Sequence, residues 1–99
     1  MIDEPKVKEQ LKTVFDPEIP VNIVDLGLVY GLRIEEHRVE IDLTVTAPGC
    51  GMGEWIAEAV RHKVRAVPEV EDVAVRIVYE PPWDRSMISE AGKLALGLL

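Results

Sequence analysis

Thr46-Ala47-Pro48-Gly49-Cys50-Gly51-Met52-Gly53 separates two different periodicities in this chain. Ahead of it, Val39, Ile41, Leu43 and Val45 alternate with Arg38, Glu40, Asp42 and Thr44, the spacing of a half-buried strand. Behind it, Met52, Trp55, Ile56, Ala59, Val60, Lys63, Val64 and Val67 recur by threes and fours, the spacing of an amphipathic helix closed by Pro68. Trp55 and Met52 fall on that stripe and read as core. A glycine-rich turn opening a helix gathers backbone N–H groups and partial positive charge around the sole cysteine. At such a position the thiol pKa is lowered, and the sulfur becomes a nucleophile or metal ligand. The competing reading is a small buried hydrophobe.

Upstream, Leu28, Tyr30, Leu32 and Ile34 alternate with Val29, Gly31, Arg33 and Glu35, so residues 28–45 predict an antiparallel hairpin. Its turn, around Glu36-His37, lacks the usual Asn-Gly signal. Asp3-Glu4-Pro5 starts a first helix, with an acidic cap and proline in the first turn. Val7, Leu11, Val14 and Phe15 continue it to Asp16, where Pro17 forces an extended backbone. Asp16 to Asp25 reads as an ordered loop. Downstream, Val73, Val75, Ile77 and Tyr79 predict a strand stopped by Pro81-Pro82. Ser86 to Leu96 predicts a helix with an Ile88, Ala91, Leu94, Ala95 and Leu98 stripe, weakened by Gly92. The order is helix, hairpin, helix, strand and C-terminal helix. It specifies one α+β domain over residues 1–99, with helices packed on one face of a small sheet. Whether the third strand pairs beside the first or the second is left open.

A chain of 99 residues, 47% of them hydrophobic, is long enough for one small core and too apolar to remain disordered. The formal charge of -7 argues against a nucleic-acid backbone as partner, because phosphate contacts need clustered Lys and Arg. No apolar run approaches membrane-spanning length and the N-terminus does not resemble a signal peptide, so the expectation is a cytoplasmic protein with no membrane partner. One cysteine forms no internal disulfide, in keeping with a reducing compartment.

Asp16-Pro17-Glu18-Ile19-Pro20-Val21-Asn22-Ile23-Val24-Asp25-Leu26-Gly27-Leu28-Val29-Tyr30, followed by Thr46-Ala47-Pro48-Gly49-Cys50, resembles the iron-sulfur cluster assembly domain family that includes SufT and PaaD proteins. Many members have proline directly after the cysteine. Here Gly51-Met52-Gly53 follows, and with Pro81-Pro82-Trp83 further on the chain looks most like the SufT branch. The resemblance implies an accessory factor in iron-sulfur protein maturation rather than an enzyme. The expectation carried with it is a homodimer whose partners are scaffold or client proteins. The family's shared cysteine falls on Cys50 and its acidic loop on Asp16 and Glu18.

In that reading Cys50 is a thiolate ligand or a transient acceptor of iron or an iron-sulfur cluster. Clusters are usually held by four thiolates, and this chain supplies one, which favours transient handling over storage. Asp16 and Glu18 either complete a metal site or fix a local turn. Asp25 orders the loop leading into the first strand, while Thr46, Gly49 and Gly51 shape the cysteine turn. Trp83 covers that turn, anchors a partner, or packs in the core. Leu94, Leu96, Leu98 and Leu99 are too apolar for a solvated tail and should pack on the body, a second copy or a client. His62 lies twelve residues past Cys50, roughly 18 Å of helical rise and beyond reach of the thiol. His37 sits at the hairpin end, so a thiol enzyme is weakly supported. The alternative to a cluster-handling factor is a metal-free interaction adaptor in which Cys50 is not chemically active.

Overall fold

The computed structural model describes residues 1–46 and 52–97, with nothing said of the Met52 side chain. The Cys50, Gly49 and Gly51 assignments, and those of Leu98 and Leu99, therefore lie outside the described residues. The hairpin forms as expected. Strand β1 (Val29–Glu35) runs antiparallel to β2 (Arg38–Leu43), with Leu32 opposite Ile41 and Ile34 opposite Val39. Glu36 closes the turn in the left-handed region at φ 51°, a conformation glycine or asparagine would adopt more easily. The carbonyl of His37 then accepts hydrogen bonds from Glu71 and Asp72 N–H, tying the hairpin tip to the chain that begins β3 (Asp72–Ile77).

That tie decides the open question of pairing. β3 lies parallel to β2 from Arg38 opposite Asp72 to Leu43 opposite Ile77, giving the order β1-β2-β3. A parallel neighbour requires a crossover, and α2 (Met52–Arg65) supplies it. Val39, Ile41 and Leu43 of the central strand are at most 1% exposed beneath α2, whose Ile56, Val60 and Val64 are equally buried. Helix α1 (Glu4–Leu11) adds Val7 and Leu11 to the same core. The opposite sheet face is polar. There Arg33 and Arg76 both bond the Asp42 carboxylate, and Arg33 also reaches Glu40.

Several sequence expectations are corrected. A register irregularity between Val29 and Gly31 breaks the alternation of β1. Tyr30 accordingly leaves the Leu32 and Ile34 row and shares a surface hollow with Asp42 and Arg76. Helix α1 stops at Leu11 rather than Asp16. Phe15 is extended, bridges Asn22 and is half exposed, while the Val14 carbonyl accepts from Ile23 N–H, so the loop competes successfully for the end of the helix. The Asp3 side chain makes no cap bond; its backbone carbonyl receives Lys6 and Val7 N–H instead. Trp55 is 57% exposed rather than core. At about 100° per residue it stands on the side of α2 opposite Gly53, Val60 and Val64, which face the sheet and core.

The C-terminal segment also differs from one continuous helix. A 3-10 turn (Arg85–Met87) leads through extended Ile88 and Ser89 to the short α3 (Glu90–Ala95). The Ser89 hydroxyl accepts from Gly92 N–H and so starts the helix later than expected. This rotates the buried face to Ile88 and Gly92, with Leu96 partly buried, and leaves Leu94 64% exposed. Tyr79, expected in the third strand, lies beyond its end and is exposed.

Gly27 joins the loop to β1 at φ 79°, and a Cβ there would collide with the carbonyl oxygen of Met87. Gly27→Ala should lower stability by about 1–3 kcal/mol from the left-handed conformation alone, before any displacement of the C-terminal segment. Urea unfolding of wild type and variant measures this. A difference within about 0.5 kcal/mol, the range of an ordinary surface change, would show that the close approach carries little energy.

Candidate functional site

The loop between α1 and β1 is built on side chains that bond its own backbone. Asp16 is buried, and its Oδ1 accepts from Glu18 N–H at 2.8 Å and Ile19 N–H at 3.1 Å. The local, turn-fixing role of Asp16 is thereby present. Its buried Oδ2 accepts no hydrogen bond from any described residue. Further on, Asn22 Oδ1 receives the N–H groups of Val24 and Asp25, and Asn22 Nδ2 donates to Asp25 Oδ2 at 2.7 Å.

Asp25 carries this order across to the C-terminal segment. Its Oδ1 accepts from Ser89 Oγ at 2.8 Å, and its backbone carbonyl accepts from Ser89 N–H at 2.7 Å. One residue on, the Leu26 carbonyl accepts from Trp83 Nε1 at 2.7 Å. Tyr30 Oη donates to the Pro81 carbonyl at 2.8 Å and lies 3.3 Å from Met87 Sδ. The chain after β3 is thus fastened along residues 25–30. Gly92 permits the closest part of the contact, since a Cβ there would press on Ile88 and the Asp25 carbonyl.

The fastening creates a cleft of about 460 Å³. Glu18, Ile19 and Pro20 line it from the loop, and Trp83, Arg85, Ile88 and Leu96 line it from the C-terminal segment. Thr46, the last described residue before the cysteine stretch, completes the lining. Three residues singled out from sequence, Glu18, Thr46 and Trp83, therefore meet in one place, and Asp16 braces the backbone of the Glu18 side. Trp83 packs in the core, one of its three expected roles: its indole is partly buried there, its N–H bonds the Leu26 carbonyl, and it lines the cleft. Arg85, Ile88 and Leu96 were not recognisable as site residues, because the contact that brings them here spans 64 positions.

His37 stands at the other end of β2 from Thr46, a strand length of about 20 Å away. His62 is exposed on α2. Neither lines the cleft. Among the described residues, no group of three or more His, Cys, Asp or Glu side chains could hold a metal ion. No described helix is long and apolar enough to cross a membrane. The cleft is mostly apolar in its residues, with one carboxylate and one guanidinium in its lining.

Residues 4–77 match the sequence profile of a family described as iron-sulfur cluster assembly protein. An Fe-S protein maturation auxiliary factor of Porphyromonas gingivalis is 42% identical over 97% of this chain and 92% of its own length. The Fe-S protein maturation auxiliary factor SufT of Staphylococcus aureus is likewise 42% identical, over 86% of this chain and 98% of its own. Among solved structures, a domain of unknown function, DUF59, from Bacillus anthracis superposes with a TM-score of 0.87 at 39% identity, covering 97% of this chain and 92% of that one.

The hydrogen bonds from Asn22 and then Ser89 hold the Asp25 carboxyl below its ordinary value of 3.8. A carboxyl depressed in the folded state stabilises the fold fully above the unfolded value and loses that contribution as pH falls through the folded one. Asp25→Asn offers one acceptor oxygen in place of two. It should lower the urea midpoint at neutral pH, and the deficit should shrink as pH drops below about 4. Unfolding curves across that range test this, and a deficit independent of pH would remove the ionised carboxylate from the account.

Proposed function

Because the chain belongs to the iron-sulfur cluster assembly protein family, we propose that it serves iron-sulfur protein maturation by passing iron or a cluster transiently through Cys50 while the adjoining cleft holds a client or scaffold protein. The observation that carries this reading is the meeting of Glu18, Thr46 and Trp83 in one cleft immediately before the cysteine stretch. A segment seated between the Asp16-to-Pro20 loop and Trp83 meets Thr46, four residues before the thiol in sequence. The cargo is a substrate and not a resident group. One thiol per chain leaves most of the four ligand positions of a cluster to groups from elsewhere, and the client supplies them. This division of ligands makes release as easy as capture.

In this role the protein is an accessory factor rather than an enzyme, acts in the cytoplasm and works as a homodimer. A formal charge of -7 directs it to protein partners rather than to nucleic acid. The maturation auxiliary factors named above, similar over nearly their whole length, support the assignment.

Anaerobic transfer assays with an apo iron-sulfur client test the chemistry. Wild type loaded with iron and sulfide should transfer cluster to the client, whereas Cys50→Ala should lose that transfer while keeping the wild-type circular dichroism spectrum. Equal transfer by Cys50→Ala would remove the thiol from the mechanism and leave a metal-free adaptor as the function.

A further inference from the structure

Strand β3 forms one edge of the sheet, and among the described residues it pairs only with β2. Asp72 N–H bonds the His37 carbonyl and Val78 N–H bonds the Leu43 carbonyl, so residues 72, 74, 76 and 78 turn their backbone groups toward β2. Val73, Val75 and Ile77 turn theirs outward. This edge has neither a bulge nor a proline to block pairing. Its register is unbroken, and Asp72–Ile77 contains no proline, glycine or lysine. The edge of β1, by contrast, is interrupted at Val29 and Gly31 and flanked by the Tyr30 contact to Pro81. The outer row is also incompletely covered: Val75 and Ile77 are partly exposed, although their β2 partners Ile41 and Leu43 are 1% exposed.

The charges on this edge are self-complementary. Asp72 and Arg76 project from the same polar face, two positions either side of Ala74, with side chains 65% and 71% exposed that keep room for a second partner beside their ion pairs to Arg38 and Asp42. An antiparallel pairing of β3 with itself about a two-fold axis at Ala74 sets Asp72 of each protomer opposite Arg76 of the other. The same register sets outward-facing Val73 opposite outward-facing Val75, so the two exchange backbone hydrogen bonds. Shifting the axis to Val75 destroys the charge match. We propose that this β3 edge is the homodimer interface, joining two three-stranded sheets into one through β3-β3 antiparallel pairing.

The placement rests on the homodimer reading and adds a consequence for the site. Gly53, at the start of α2, packs beside Ile77 at the C-terminal end of β3. In the paired sheet the two Ile77 positions stand about 20 Å apart along the strands, so each α2 N-terminus serves its own cleft rather than a shared one.

The mass of the full chain, measured by analytical ultracentrifugation over a concentration series, tests both levels. Wild type should reach twice the single-chain mass. Val75→Pro removes an outward N–H that bonds none of the described residues, so it should keep the wild-type circular dichroism spectrum and sediment as a single chain. Asp72→Arg and Arg76→Asp should each be single chains alone, whereas mixing the two proteins restores opposite charges at both positions and should recover the doubled mass. Wild type that stays a single chain throughout would overturn the homodimer itself. A dimer indifferent to Val75→Pro and to both charge reversals would keep the homodimer and overturn this interface. A single-chain mixture would overturn the register.

Discussion

The Asp25 carboxylate is the point on which the site depends. One oxygen is held by the Asn22 amide and the other by the Ser89 hydroxyl, while the Asp25 backbone carbonyl takes the Ser89 N–H. A charged acceptor makes stronger hydrogen bonds than a neutral one, and this one connects parts of the chain far apart in sequence. Without it, the hydrogen bonds among the described residues that hold the loop side to the segment that carries Trp83 would be those to the Asp25 and Leu26 carbonyls and from the Tyr30 hydroxyl. The cleft follows from this clamp and from nothing in either segment alone.

The sheet solves a different problem. Its central strand, β2, is covered on one face by helices and on the other by water, and its residues alternate accordingly. Burial of Val39, Ile41 and Leu43 with Ile56, Val60 and Val64 supplies the apolar driving force. On the polar face, the guanidinium of Arg33 and then that of Arg76 hold the Asp42 carboxyl below the usual range. Placing cations from both neighbouring strands on one central carboxylate binds the three strands across the solvated side, where no apolar contact is available.

The chemistry expected of the protein fits this division of labour. The fold delivers two things to one end of β2: a cleft lined by residues from two distant segments, and Thr46, which leads in sequence to the chain's one thiol. One thiol is too few to retain a cluster and sufficient to pass one on when a partner provides the remaining ligands. In the proposed function, a groove that seats the partner matters as much as the sulfur does.

Much of this was legible in the residues. Alternation by two in 28–45 and 73–77, and recurrence by three and four in 52–67, specified the hairpin, the crossover helix and the third strand, because such patterns depend only on neighbours within a few positions. Cys50 stood out from its glycine-rich turn, family resemblance added Asp16 and Glu18, and Thr46 and Trp83 stood out from their neighbours in sequence. Pairing of β3 with β2 was not legible, since it turns on the His37 carbonyl receiving N–H groups from residues 71 and 72. Nor were the exposure of Trp55, the early end of α1 or the break before α3, where competing contacts from other segments outweighed local propensity. The sequence by itself determined which elements form and which residues are candidates for the chemistry. Only the tertiary structure decided which of those residues meet, because hydrogen bonds such as Ser89 to Asp25 join positions that no local periodicity relates.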